Sequence, residues 1–426
     1  MNKTAEADIA MHTNNDAKMD TTTMANDLNN TEAGKTTPSF MNEHKSPHQR
    51  KRERADARFH FYGFAAIALA LAFLVFFFVD IIGKALPAFD ETEVLATIHY
   101  SEAASKNYNK AIDKKMRGVV SRAWLRSLPA YMKAHPELMG SSAELWVLAD
   151  SRVDQYIKQH DGHGLKSKHR RTVDAMLKDG KIRTVFNTTL FTNGDSKLPE
   201  YAGILAASVG TVFTLLITML VAVPIGVMTA IYLEEFAEDN RFTRMVEVNI
   251  NNLAAIPSIL YGLLGLAIFI SFFGVPRSSA LAGGLTLALM TLPVIIITTR
   301  AALRAVPESI REAAYGLGAS NLQTAWHHVL PLAMPGILTG SIIGLAQAMG
   351  ETAPLIIVGM MAYIPEAPTT ILDATTVLPA QIYTWSTESM RGYGERTAAG
   401  ILVLLAVLLS LNALAVKLRN RSQQSW

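Results

Sequence analysis

The sequence predicts an all-α membrane protein of six transmembrane helices, with a mostly helical extracytoplasmic insertion between the first two. Three observations predict it. Half of the 426 residues are hydrophobic and only 18% are charged, with a positive mean hydropathy of +0.21. The apolar residues gather into six long runs, each about as long as, or longer than, the ~20 residues that carry a helix across a bilayer. The short segments that this order places in the cytoplasm are net basic or close to it, as such flanks are.

The elements follow in order. Residues 1–58 form a cytoplasmic tail. Up to Gln49 it is rich in Asn, Thr, Asp and Ala and poor in large apolar residues. It cannot bury enough surface to offset its ordering entropy, so it is predicted to be disordered. The apolar run starts too late for a cleaved signal peptide. Lys45, Arg50, Lys51, Arg52, Arg54 and Arg58 stand directly before the first span, 59–83. Their adjacency to a span explains them better than a nucleic-acid patch does, and puts the N-terminus inside.

Residues 84–202 then form an extracytoplasmic domain, since long domains cross a membrane largely regardless of charge. Ser141 and Glu144 have capping-box spacing and predict a helix start. Val153, Tyr156 and Ile157 make one apolar helical stripe. Val173, Met176 and Leu177 make another, ended by Gly180. Residues 185–191, followed by Asn193-Gly194, read as a strand and turn.

The core, 203–417, holds five further runs: 203–233, 253–273, 280–299, 335–361 and 398–416. Arg241 and Arg244, then Arg300, Arg304 and Arg311, then Lys417, Arg419 and Arg421 all fall inside. Outer loops carry Arg277 in one case and a mixture of acids and bases in the other. Residues 418–426 are a second tail, so both termini are cytoplasmic.

Several chemistries are excluded. With no cysteine there is no disulfide, iron–sulfur cluster, cysteine zinc site or thiol nucleophile. There is no His-Glu-x-x-His, nucleophile elbow or dinucleotide fingerprint. Gly34-Lys35-Thr36 lacks the P-loop's earlier glycine, because Asn29 stands there. ATP, if it drives this protein, is hydrolysed by another subunit. The chain is not expected to be an enzyme or to hold a cofactor or metal. His160, His163 and His169 lie among polar residues and read as an exposed loop.

The inner segment 300–335 is too long for a plain turn and is patterned as helix. Pro307 suits a helix start, Gly318 a stop, and Ser320 with Gln323 a second capping box, with Pro331 closing that piece. The bland reading is an amphipathic helix resting on lipid. Glu312-Ala313-Ala314, Gly318 and Leu330-Pro331, in this loop, resemble the EAA loop of ABC importer permeases. The resemblance implies the type I ABC importer permease fold, with a coupling helix that docks on an ATPase. His328 stands where the family usually has Ile. Gly350-Glu351-Thr352-Ala353-Pro354-Leu355 is similar to the signature of phosphate permeases of the PstA type. The run from Arg311 to Gly318, Pro224-Ile225-Gly226-Val227 and Ile231-Tyr232-Leu233 resemble that family as well. The resemblance covers about 202–417, and the insertion resembles an extra region found in a subset. It implies import of inorganic phosphate through the bacterial inner membrane. The partners it implies are a homologous second permease, two ATPase subunits and an extracytoplasmic phosphate-binding protein, with membrane lipid around the spans and no nucleic acid.

Glu351 is notable without any family, since an ionisable residue deep in a span is costly and faces protein or water. Pro354 leaves the Gly350 carbonyl free, so the helix should bend or open there. A place in a translocation path and a structural pairing are both open readings. Gln347 lies one turn before Glu351 on the same face, where PstA relatives often carry Arg. Charge for an anion must then come from Arg300 or from the partner permease, although Arg300 also reads as a plain cytoplasmic anchor. The candidate path is therefore Gln347, Gly350, Glu351, Thr352, Pro354 and Arg300. Alternatives are import of another oxyanion, ion-coupled transport with Glu351 as the proton site, and a membrane sensor. The last is disfavoured by the short inner tail.

Overall fold

The computed structural model describes residues 47–159 and 164–422. The expected disorder of the tail, the Gly34-Lys35-Thr36 match, and His160 and His163 lie outside the described residues. The chain divides within its first helix, into a unit up to Ala72 and a second from Phe73 onward.

Helix α1 (Pro47–Ala85) is one uninterrupted helix of 39 residues. Its residue count is well beyond the ~20 that cross the hydrocarbon core. The expected span 59–83 lies inside it, and the Arg-rich turns extend it.

The insertion domain combines helices with an antiparallel sheet. In chain order it contains β1 (Asp90–His99), α2 (Glu102–Lys106), α3 (Arg122–Ala134), β2 (Ser142–Leu148), α4 (Ser151–Gln159), α5 (Ser167–Lys178), β3 (Ile182–Phe186) and α6 (Thr189–Thr192). The sheet order is β2-β1-β3, with Val94 opposite Val147 and Glu93 opposite Arg183. Val94, Ile98, Val120, Leu125, Val147, Val153 and Val173 form its core. Both expected stripes sit on helices, α4 and α5, although Leu177 is exposed. Gly180 follows α5 at φ +68°, as the stop signal requires.

Two local readings are corrected. The Ser141–Glu144 spacing does not open a helix, because residues 142–148 pair with β1 as β2. Ser141 instead donates its hydroxyl to the Leu138 carbonyl at 2.6 Å. Long-range ladder pairing and burial of Val147 outweigh a capping signal of about 1 kcal/mol. The strand expected at 185–191 is shifted to Ile182–Phe186, and Thr189–Thr192 turns as α6. His169 is also not in a loop. It lies on α5, with its ring packed over Gly118.

The membrane core follows: α7 (Leu205–Ile231) with a π-helical end at Tyr232–Phe236, α8 (Arg241–Ala254), α9 (Ser258–Gly265) continuing as a π-helical stretch Leu266–Phe272, and α10 (Ala280–Arg304). Next come α11 (Glu308–Gly316), α12 (Asn321–Thr324) with a π turn Ala325–Val329, α13 (Leu330–Gly350), α14 (Ala353–Ile357), α15 (Leu378–Thr387) and α16 (Gly392–Ser422). Among the described residues five helices are long and apolar enough to cross a bilayer. A pair bent by 104°, Arg241–Ala254 with Ser258–Phe272, makes a sixth if counted as one span. The all-α six-span class stands in that sense.

Helix α10 is the centre of the core, with 67% of its apolar window buried. Small residues let its neighbours approach, the usual device where lipid removes the hydrophobic drive between helices. Gly284 meets Ile217 of α7, Gly265 of α9 meets Thr286, and Gly340 of α13 meets Thr298. Thr218 donates to the Gly284 carbonyl at 3.1 Å.

Two spans are not the straight rods that the apolar runs suggested. The run 253–273 is broken at Pro257, which cannot supply the helical N–H, so α9 starts only at Ser258. The run 335–361 stops at Gly350 and resumes briefly as α14.

Candidate functional site

The first candidate region is the loop 300–335. Pro307 stands at the N-cap of α11, and Gly318 at φ +84° ends it. The Ala319 N–H reaches back to the Ala314 carbonyl at 3.0 Å. Only a residue free to take positive φ closes a helix this way cheaply. The second capping box is complete: the Gln323 N–H donates to Ser320 Oγ at 3.3 Å, and the Ser320 N–H to Gln323 Oε1 at 2.9 Å. Pro331 does not close this piece, however. The helix from Asn321 runs through the π turn into α13, with Pro331 in its first positions, so 321–350 is one 30-residue unit. Wider π geometry just before a proline removes the clash that would otherwise stop the helix.

The loop presents a mixed surface. Glu312, Ala313, Gly318 and Pro331 are exposed, Leu330 is half-buried and Ala314 is buried. Around them Leu317 is 90% exposed, and Tyr315, Leu322 and Trp326 are exposed too. His328 is exposed and so is tolerated in place of an apolar residue. An acid with several exposed large apolar side chains on the same loop is the composition of a docking surface.

Behind that surface lies an ion lattice that sequence reasoning missed. Arg311, with its side chain 11% exposed, grips Glu235, 5% exposed, at 2.8 Å and 3.3 Å. Glu234 binds Arg304 at 2.7 Å and Arg300 at 3.2 Å, and Arg300 also bonds Glu247 of α8. Hydrogen bonding to Glu235 holds the Arg311 guanidinium more firmly protonated than usual. A polar cavity of about 460 Å³ opens beside the lattice, lined by Glu234, Glu235, Arg304, Pro307, Glu308 and Arg311 among others. The available signal was the pair Glu234-Glu235 at a span end, facing three arginines at another.

The second candidate region is the break after α13. Glu351 caps α13 with extended backbone, φ −80° and ψ 127°, and α14 starts at Ala353. Gln347 and Gly350 are exposed along one stripe with Ile343 and Gly336, while Glu351 and Thr352 are half-buried. Among the described residues the Glu351 carboxylate has no hydrogen-bond or ion-pair partner. Pro354 is buried against Gly262 of α9. The structure thus brings Gln347, Gly350, Glu351, Thr352 and Pro354 together at the break, as the freed Gly350 carbonyl suggested. It leaves Arg300 out. Gly336 meets Ala302 and Gly340 meets Thr298, so Arg300 is level with about residue 338. Gln347 is then some nine residues further along, or roughly 14 Å. Arg300 is also already paired with two carboxylates.

A third cluster joins the insertion domain to the last span. Glu200 Oε1 accepts from Ser121 Oγ at 2.8 Å, and Arg396 Nη2 donates to the Glu200 carbonyl at 3.4 Å. Glu91, Glu200, Glu395 and Arg396 are all buried. Burial pushes the Glu200 and Glu91 carboxyls above the usual range. Among the described residues, no group of three or more His, Asp or Glu is placed to hold a metal ion.

Residues 201–423 match the family model described as binding-protein-dependent transport system inner membrane component, and residues 47–113 match a domain of unknown function. Among relatives, the phosphate transport system permease protein PstA 1 of Mycobacterium tuberculosis (strain H37Rv) is 33% identical over 52% of this chain and 72% of its own length. The PstA protein of Haemophilus influenzae is 30% identical over 52% of this chain and 78% of its own. The phosphate transport system permease protein PstC of Pasteurella multocida is 34% identical over 42% of this chain and 63% of its own.

Proposed function

The chain belongs to the family of binding-protein-dependent transport system inner membrane components, as a PstA-like permease of the ABC importers, and from that premise we propose that it imports inorganic phosphate. In this reading it forms the path together with a homologous second permease. Two ATPase subunits hold the loops at one face, and an extracytoplasmic phosphate-binding protein delivers the ion at the other. Both termini and the coupling loop lie in the cytoplasm, and the insertion domain lies outside.

The observation that carries the reading is the coupling surface: Glu312 and Ala313 exposed beside Leu317, Leu322 and Trp326, on a short helix cut off by Gly318. An ATPase that closes on ATP and opens after hydrolysis biases a two-state core through such a contact. Gln347, Gly350, Glu351 and Thr352 line the path at the broken helix. The unwound backbone there suits a water-filled route rather than lipid. Gln347 donates hydrogen bonds to the ion without charge. Glu351 repels an anion, and its role is to hold a cation of the second permease or to change partners as the gate moves. The identity with PstA proteins and the Gly350–Pro354 signature support phosphate. Neutral Gln347 is the specific feature that keeps another oxyanion as the second reading.

The test is ATP-dependent phosphate uptake in proteoliposomes holding this chain, the second permease, the ATPase and the binding protein, with Glu312→Lys in parallel. Wild-type uptake and a loss of at least tenfold in an assembled Glu312→Lys variant are expected. Uptake of a different oxyanion alone would move the substrate assignment. Uptake without any ATPase would refute the coupling and make Glu351 an ion-coupling group.

A further inference from the structure

We infer that the Arg311–Glu235 pair is the link through which the coupling helix moves the spans, so that α11 travels with α7 and α10 as one body. The inference rests on the reading of α11 as the ATPase-docking helix, and names the positioning residues behind it.

Arg311 directly precedes Glu312, so the two side chains point about 100° apart on α11. Glu312 is exposed, whereas the Arg311 side chain is turned inward. A guanidinium has five donors in a rigid fork, and here both faces of the fork are used. Nη2 and Nε hold the two oxygens of Glu235 at 2.8 Å and 3.3 Å, a bidentate, charge-assisted grip. Nη2 also donates to the Leu303 carbonyl at 3.0 Å, and Nη1 to the Val306 carbonyl at 2.9 Å. Those carbonyls belong to the last turn of α10 and the step after it, where intrahelical partners run out; the Leu303 carbonyl also accepts from the Val306 N–H at 3.2 Å, and Arg311 adds a second donor there. One side chain on the coupling helix therefore caps α10 and grips the π-helical end of α7.

The lattice continues from there. Glu234, beside Glu235, joins Arg304 and Arg300, and Arg300 reaches Glu247 on α8. Toward α13, by contrast, α11 packs closely on α12 and the π turn, with Ala314 buried and Ile310 in the apolar cluster of Val306 and Val329, but among the described residues no ion pair joins them. Apolar contacts are non-directional and tolerate sliding. A bidentate pair with both side chains largely withdrawn from solvent fixes distance and orientation, and breaking it leaves a poorly compensated charge. A push on Glu312 is thus delivered to α7 and α10 with fixed geometry.

The test uses the full transporter reconstituted as above, with Arg311→Lys, Glu235→Gln, and the exchange of Arg311→Glu with Glu235→Arg. ATP hydrolysis and phosphate uptake are measured together, because phosphate moved per ATP is a quantity that a merely structural role would leave unchanged. Each single variant is expected to retain its ATPases and hydrolyse ATP within about twofold of wild type, with phosphate per ATP reduced at least tenfold. The exchange is expected to recover several-fold of that loss. As the chain has no cysteine, spin labels at Ser309→Cys, on α11 but outside the docking residues, and Phe236→Cys report α11 against α7. One unchanged distance with and without ATP is expected in wild type, and a broadened one in Glu235→Gln. A wild-type distance that changes with ATP, single variants with normal phosphate per ATP, or single variants that lose their ATPases would each overturn the link. If Glu312→Lys abolishes uptake while Arg311→Lys and Glu235→Gln do not, only the link falls. If Glu312→Lys is itself harmless, the docking reading falls with it.

Discussion

At Gly262 a side chain would collide with backbone: a Cβ there would lie 2.7 Å from Pro354 Cα and 2.9 Å from the Pro354 carbonyl oxygen. Backbone cannot rotate away as a side-chain tip can. The missing side chain is what lets α14 lie on α9 and holds the break around Glu351 in place. Gly262→Ala should therefore cost about 1–3 kcal/mol by overpacking, despite Ala being the better helix former. A lower thermal midpoint in detergent and reduced uptake are the expected outcomes. Gly350→Ala is the control for stability, since a Cβ there meets nothing within 4 Å. Glu200 makes a prediction about pH. Its carboxyl is raised above 4.5, first by burial, and its Oε2 lacks a hydrogen-bond partner among the described residues. A carboxyl raised in the folded state costs stability once pH exceeds the unfolded value. The cost fades as pH falls from neutral toward 4.5 and is absent below it. Glu91 has the same sign. The insertion domain should accordingly resist urea better at pH 5 than at pH 7. Glu200→Gln, which keeps an oxygen for Ser121, should shrink that difference; a difference that is unchanged, or of opposite sign, would count against the account.

Among the elements, α11 and the two broken spans separate what could be read from sequence from what could not. The start and stop of α11 and the Ser320–Gln323 box were legible because capping chemistry is local, and the loop's own residues satisfy it. The Ser141–Glu144 spacing carried the same signal and misled. Its backbone groups are claimed by β1, more than forty residues earlier, and no short window contains that partner. Pro257 was visible as a breaker, yet the apolar run around it reads as one span, because hydropathy averages over a bend. Arg311 appeared only as one of several inner cations, since its partner Glu235 comes 76 residues before it. The exposed side of α11 carries a further prediction. Burying a Leu is worth about 1.5–3 kcal/mol, and Leu317 is 90% exposed. Leu317→Asp should weaken ATPase binding by about tenfold or more in a pull-down titration, with helix content unchanged by circular dichroism. Retained affinity would place the docking surface elsewhere.

For the molecule as a whole, the proposed arrangement puts the insertion domain and the coupling loop on opposite sides of the membrane. Ser127 of α3 and Ser309 of α11 are both exposed, and a chain free of cysteine allows each to be marked alone. Ser127→Cys should react with an impermeant maleimide in intact cells, and Ser309→Cys only after the cells are opened. The reverse pattern would invert the assigned orientation. The all-α membrane class and the resemblance were legible because they are summed over many residues. The sheet and the charged contact between the domain and the last span were not, because each depends on pairs brought together only by folding.

That last contact has a consequence for how the protein is made. Glu200 precedes the second span, whereas Arg396 belongs to the last helix, nearly two hundred residues later in synthesis. β1 is the first strand made and lies in the middle of the sheet, so the domain can complete its sheet only once β3 has been made. Even then Glu91 and Glu200 wait for Arg396 until the final helix is threaded. A chain stalled or mis-inserted before Gly392 displays an acidic, unfinished seam where a finished one shows a closed surface. The seam therefore distinguishes completed from incomplete chains, since only the completed chain covers these acids.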